Sequence, residues 1–178
     1  MTPGDVTRFW ETAGPNRWFF KDAAFDGALK VRFGDALTAA RMGIFDHWGQ
    51  TPEGALGLVI LLDQVSRNIH RGSPLAFAAD ARALRLTKQW IGQGFHQKLA
   101  APRACWLIMP YEHAEDLDAQ HRGVALFQTM GLQDQAHWAR IHLDIIARFG
   151  RFPHRNPVLG RVSTPEELAF LKAGGFAG

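Results

Sequence analysis

The sequence predicts an all-α protein, one domain of antiparallel helix pairs covering residues 1–178. Three observations carry that prediction. Apolar residues recur at three- and four-residue spacing along most of the chain, which stacks them on one face of a helix. A hydroxyl residue followed by proline, a helix-start signature, occurs at Thr51-Pro52, Ser73-Pro74 and Thr164-Pro165. No window alternates apolar and polar residues for long, so nothing reads as a half-buried strand.

Taken in order, Phe25, Leu29, Phe33 and Leu37 predict a helix over residues 22–42 with one apolar face. Thr51-Pro52-Glu53 opens the next, which carries Leu56 and Ile60 inward. Ser73-Pro74 opens an alanine- and leucine-rich segment running to Ile91, with Gly92 and Gly94 ending it. Pro110 is expected to break or kink the apolar run 104–109, because proline removes a donor and disfavours helix just before it. A fresh helix is expected from about Glu112 to Met130. Trp138, Ile141, Ile145 and Phe149 mark an amphipathic helix from Gln133 that stops at Gly150. Thr164 and Glu167 form a capping box for a last helix over residues 165–173.

Composition excludes several classes. Hydrophobic residues make up 47% and charged residues 21% of the 178, ordinary globular usage that argues against disorder. Six tryptophans and thirteen phenylalanines against one tyrosine predict a ring-rich core. The single cysteine, Cys105, has no intramolecular partner and sits in the run ACWLIM, so an inert buried thiol in a reducing compartment is expected. The start reads as no secretion signal, and the longest apolar run, 55–62, is well short of the roughly 20 residues that cross a bilayer. A cytoplasmic protein with no membrane partner is therefore expected. The net charge of +3 is small and the acidic residues are interspersed, so nucleic acid is not an expected partner. Nothing in the chain sets the oligomeric state.

Three polar constellations carry whatever chemistry exists. In LLDQVSRNIHRG, Asp63 and Arg67, Gln64 and Asn68, and Arg67 and Arg71 are each four apart, which lays two polar stripes along a helix otherwise too apolar to face water. The ordinary reading is an ion pair and cations at a helix C-terminus. In MPYEHAEDLDAQH, the spacing of His113, Asp116 and Gln120 predicts a shared helical face with Glu115 to one side. A histidine beside carboxylates suits general base work or a metal site; the metal spacing HExxH is absent, and neither a metal nor a cofactor is assigned. His142, one turn after Trp138, reads as a satisfied core histidine or a ligand-binding one, and Asp144 and Arg148 are spaced as a helix pair.

The third is RFGRFPHRN, with Arg148, Arg151, His154, Arg155 and Asn156 on a stretch bent by Gly150 and Pro153. From Arg148 to Arg161 there are four arginines and no acidic residue. Cations after a helix end and phenylalanines plugging the core explain part of it. A rigid loop carrying arginines is also suited to holding a carboxylate or phosphate through paired N–H donors.

The chain resembles the bacterial family known as domain of unknown function 924 over nearly its whole length. The resemblance is carried by Trp18-Phe19-Phe20-Lys21-Asp22 with Phe25-Asp26, Leu62-Asp63-Gln64 with Arg67-Asn68 and Arg71-Gly72, and Met109-Pro110 with His113, Glu115-Asp116, Gln120 and His142. RFGRFPHRN with Leu159-Gly160-Arg161 and Ser163-Thr164 completes it. The resemblance implies a helical fold similar to tetratricopeptide-repeat proteins and no particular activity. Two departures stand out: Ser66 where the family tends to have proline, and the polar pair Tyr111-Glu112 before His113.

Two functions are expected of such a chain. In the first, the constellations converge on a pocket where the arginines and Asn156 bind a small anionic molecule and His113 or Glu115 transfers a proton, catalysis being optional. In the second, stacked helices present a groove whose arginines grip an acidic peptide or protein partner. A network of buried polar groups that only fixes helix positions is the remaining possibility.

Overall fold

The computed structural model describes residues 1–18 and 20–176; Phe19, one of the residues carrying the resemblance, lies outside them. All regular structure among the described residues is helical. Helix α1 (Pro3–Ala13) starts at a Thr2–Asp5 capping box, and the short α2 (Pro15–Trp18) follows. Helix α3 (Ala23–Arg41) is capped by Asp22, whose carboxylate accepts from the N–H groups of Ala24 and Phe25 at 3.0 Å. Thr51 caps α4 (Pro52–Val59), which passes without a break through a π-helical segment (Ile60–Val65) into α5 (Ser66–Ile69).

Every residue from 54 to 66 of that composite helix is buried. A helix that is apolar all round must be enclosed by others, and α1, α3, α6 (Asp80–Gly92) and α7 (Ala101–Glu112) pack around it. Two glycines let neighbours come close. A Cβ on Gly57 would lie 2.9 Å from the Cα of Pro3 in α1. Helices α7, α8 (Leu117–Thr129) and α9 (Gln133–Phe149) then follow one another through short loops, which makes them antiparallel neighbours. At Gly123 in α8 an added Cβ would meet the Tyr111 Cβ at 2.9 Å.

The core is ring-rich: Trp106 stands edge-on to Trp10 and Trp18, with centroids 5.5 and 4.8 Å away. A smaller cluster of Ile145, Ile146 and Phe152 is joined by Phe149, Phe170 and Phe176. It pins the 150–164 loop and α10 (Pro165–Lys172) onto α9, and the Thr164–Glu167 capping box forms as the sequence predicts. Cys105 is buried, and burial pushes its thiol up to about 12.

Several expectations are corrected. Pro110 does not break the apolar run; α7 continues through it to Glu112, because the proline falls in the last turn, where one lost hydrogen bond ends little. The next helix begins only at Leu117, capped by Asp116, so His113 is the C-cap of α7 and does not share a helical face with Asp116 and Gln120. Ser73-Pro74 opens a single 3-10 turn (Pro74–Ala76), and α6 begins at Asp80. Asp144 and Arg148 form no ion pair among the described residues; the Arg148 guanidinium lies 4.7 Å from the Phe149 ring centroid instead.

The close approaches predict a contrast. Gly57→Ala and Gly123→Ala should each lower stability by about 1–3 kcal/mol in urea unfolding, because a backbone or a packed side chain must move. Gly27→Ala, on α3 with open space around it, should raise stability by roughly 0.4–1 kcal/mol.

Candidate functional site

The π segment is where the polar site begins. It sets two adjacent side chains, Asp63 and Gln64, inside the protein, and such segments recur where a helix serves function. Asp63 is 0% exposed. Its carboxylate receives Gln64 Nε2 at 2.6 Å, Arg67 Nη1 at 3.1 Å and His113 Nδ1 at 2.8 and 2.9 Å. Burial raises the carboxyl's pKa, but Arg67, His113 and the hydrogen bonds outweigh it and hold the group well below the usual carboxylate range.

An ionised carboxylate only accepts, so Nδ1 of His113 carries the hydrogen of that bond. In the neutral ring the lone pair then sits on Nε2. No protein group among the described residues binds Nε2, and His113 lines a cavity of about 390 Å³. The wall also holds Phe77, Asp80, Glu115, Asp116 and Arg155.

Around this pair the charges interlock. Arg67 forks onto Asp80 with both bonds at 3.0 Å and donates to the Asp63 carbonyl at 2.9 Å. Asp80, first residue of α6, also meets Arg155 Nη1 at 3.3 Å. Arg155 lies between the rings of Phe77 and Phe152, 4.6 and 4.4 Å from their centroids, and donates to the His113 carbonyl at 3.1 Å. Its Nε is buried without a partner. Burial first, and Arg67 second, bring the Arg155 guanidinium down to about 10. Its carboxylate contact, to Asp80, is shared with Arg67.

Glu115 is a strut beside the cavity. It accepts the Phe152 N–H at 2.8 Å and the fork of Arg161 at 2.6 and 2.9 Å, and although burial raises its pKa, those bonds bring it below the ordinary value. Asp116 caps α8 through Ala119 N–H at 2.6 Å.

Among three comparisons with known proteins, the family model described as "Bacterial protein of unknown function (DUF924)" matches residues 6–175. The chain belongs to the DUF924 family. A solved structure, that of the protein of unknown function ATU0120 from Agrobacterium tumefaciens, is 42% identical, covers 97% of each chain and superposes with a TM-score of 0.91. No curated protein matches.

In this DUF924 chain Asp63, Gln64, Arg67, His113, Glu115, Asp116 and Arg155 come together, and the other predicted residues do not. Asn68 and Arg71 both bind the Asp26 carboxylate, at 2.8 Å for Asn68 Nδ2 and 2.9 Å for Arg71 Nε. Gln120 ties the 112–116 loop by donating to the Glu112 and Ala114 carbonyls. His142 is a satisfied core histidine, its Nδ1 at 2.8 Å from Glu112 and 3.0 Å from the Trp138 carbonyl. Arg151 forks onto Glu167 at 2.6 and 2.9 Å, and Asn156 joins them at 3.1 Å. That grip, led by the Arg151 hydrogen bond, holds Glu167 at about 2. His154 packs against Phe152 and Phe176.

Sequence reading missed Asp80 and Phe77. Asp80 is thirteen residues from Arg67 and seventy-five from Arg155, beyond any local spacing rule. Ser66 accepts from Arg41 at 2.8 Å and donates to the Ala76 carbonyl at 3.1 Å, which anchors the 3-10 turn leading to Phe77. Glu112 is the partner of His142.

Two outcomes are expected. Asp63→Ala should cost about 3–5 kcal/mol in denaturant unfolding, because it strands Arg67 and His113. His154 is lowered from 6.5 to about 4 by burial, then by Arg155, and its Nδ1 has no partner. A depressed folded pKa means its stability is complete above pH 6.5 and lost as pH falls through about 4, on the order of 3 kcal/mol in all. In His154→Phe the loss of stability across that window, followed by urea unfolding at stepped pH, should shrink.

Proposed function

We propose that this protein binds a small molecule bearing a carboxylate or phosphate in the 390 Å³ cavity beside His113, with Arg155 meeting the negative charge and His113 Nε2 exchanging a proton with the ligand. The observation that carries the reading is the Asp63–His113 bond. A fully buried carboxylate orients the ring and fixes its tautomer, so that the basic nitrogen is left for the cavity. A volume near 390 Å³ lies toward the small end of ligand pockets, which run from about 300 to 1,000 Å³.

Arg155 supports the anionic class of ligand, since its own carboxylate contact is long and shared with Arg67. Glu115 serves as support for the loop rather than as a second acid, because the Arg161 fork and a backbone N–H already occupy its oxygens. No group of three His, Cys, Asp or Glu side chains among the described residues is placed to hold a metal ion. A grip on an acidic peptide is the weaker reading, for Arg67, Arg71, Arg151 and Arg161 already hold carboxylates of their own chain. The reading takes a cytoplasmic setting, supported by the lone buried thiol of Cys105; no helix among the described residues is long and apolar enough to cross a membrane.

The test is a thermal-shift panel of small phosphates and carboxylates, with native mass spectrometry of protein taken from its own host. A binding member should raise the melting temperature of the wild type, and Arg155→Gln should abolish the rise. His113→Gln should keep binding, because Arg155 still meets the negative charge. No stabilising compound and no retained mass would overturn the proposal.

A further inference from the structure

A second cavity, of about 400 Å³, lies between the end of α6, the turn after it and α8. It shares no lining residue with the first. Gly94, in the left-handed region at φ 71°, turns the chain from α6 into a 3-10 turn (Phe95–Lys98), which brings His96 and Gln97 opposite Arg122 of α8. Ala125 and Thr129 continue the same wall one and two turns further along α8.

The first cavity's wall mixes Arg155 with acidic residues, and this one does not. No acidic residue lines it. Arg67, Arg71, Arg151, Arg155 and Arg161 each hold a carboxylate, yet Arg122 makes no ion pair or hydrogen bond among the described residues. Asp118, one turn earlier on α8 and correctly spaced for a pair, is not its partner either. Facing it is His96, only 7% exposed, with a buried Nδ1 that has no hydrogen-bond partner. An unsatisfied buried polar atom costs about 1–3 kcal/mol. Burial, and after it the field of Arg122, lower the pKa of His96.

We infer that this cavity is a second binding site, one that takes a small molecule through a phosphate or carboxylate group gripped by the Arg122 fork and completed by Gln97 and His96. A guanidinium supplies two parallel donors to two oxygens, the Gln97 amide supplies another, and an oxyanion here gives the His96 ring edge the partner it lacks. The site stands apart from the His113 cavity and depends on none of its residues.

Inorganic phosphate and acetate, titrated separately at constant ionic strength into ¹⁵N-labelled full-length protein, test this. The expected result is saturable movement of the amide resonances of Gly92, Gly94, Gln97 and Thr129 with at least one probe, and the probe that saturates first identifies the oxyanion. Arg122→Gln should weaken that binding by about ten-fold or more, and Arg122→Lys should recover only part of it. His113→Gln should leave it unchanged, which keeps this result separate from the fate of the first cavity. Arg122 is exposed, so an unchanged melting temperature is expected and checks that the variants are folded. The inference is overturned if neither probe moves those resonances, or if Arg122→Gln binds as tightly as the wild type.

Discussion

The structure depends on one fully buried carboxylate. Asp63 sits in the middle of a helix enclosed on all sides, where an isolated charge would be prohibitive, and it is ionised because Arg67, His113 and Gln64 surround it. Each partner then makes its own demand. Arg67 is itself half-buried and is held by Asp80 at the start of α6; Asp80 in turn meets Arg155, reached from the loop after α9. One buried charge thus ties together the π segment and four other parts of the chain, and the cavity is the space left at the point where they meet.

The same logic explains the loop that looks most like a basic patch. Arg151, Arg155 and Arg161 lie in a stretch without a single acidic residue, yet none of them is free. Glu167, Asp80 and Glu115 meet them from sixteen, seventy-five and forty-six residues away. Local electropositivity in the sequence is therefore neutralised internally, and the arginines act first as clamps on chain topology. What distinguishes Arg155 is incompleteness: it is packed between two rings with an orphaned Nε and a shared, longer carboxylate contact.

Much of the fold was legible because it is local. Caps at Thr51 and Thr164, the periodic faces of α3 and α9, and the glycine stop at Gly150 all express hydrogen-bonding and packing rules that act within a turn or two. The i,i+4 link between Asp63 and Arg67 was legible for the same reason. The errors fell where a local rule is weak or has a rival. Pro110 stands so near a helix end that it costs little, and the cap at Asp116 moved the start of α8 past the residues that spacing had placed on one face.

The amino-acid sequence by itself determined the helical class, the starts of α4 and α10, the stop of α9 at Gly150, the ring-rich core and the presence of unusually polar segments at the ends of apolar helices. Only the tertiary structure decided which acid meets which base. Asp63 with His113, Arg155 with Asp80 and Glu112 with His142 are pairings across fifty, seventy-five and thirty residues, and Asn68 and Arg71 were drawn off to Asp26 by the packing of α5 on α3. The reason is physical: helix-forming rules act over a few residues, whereas desolvated charges choose partners by proximity after the helices have packed.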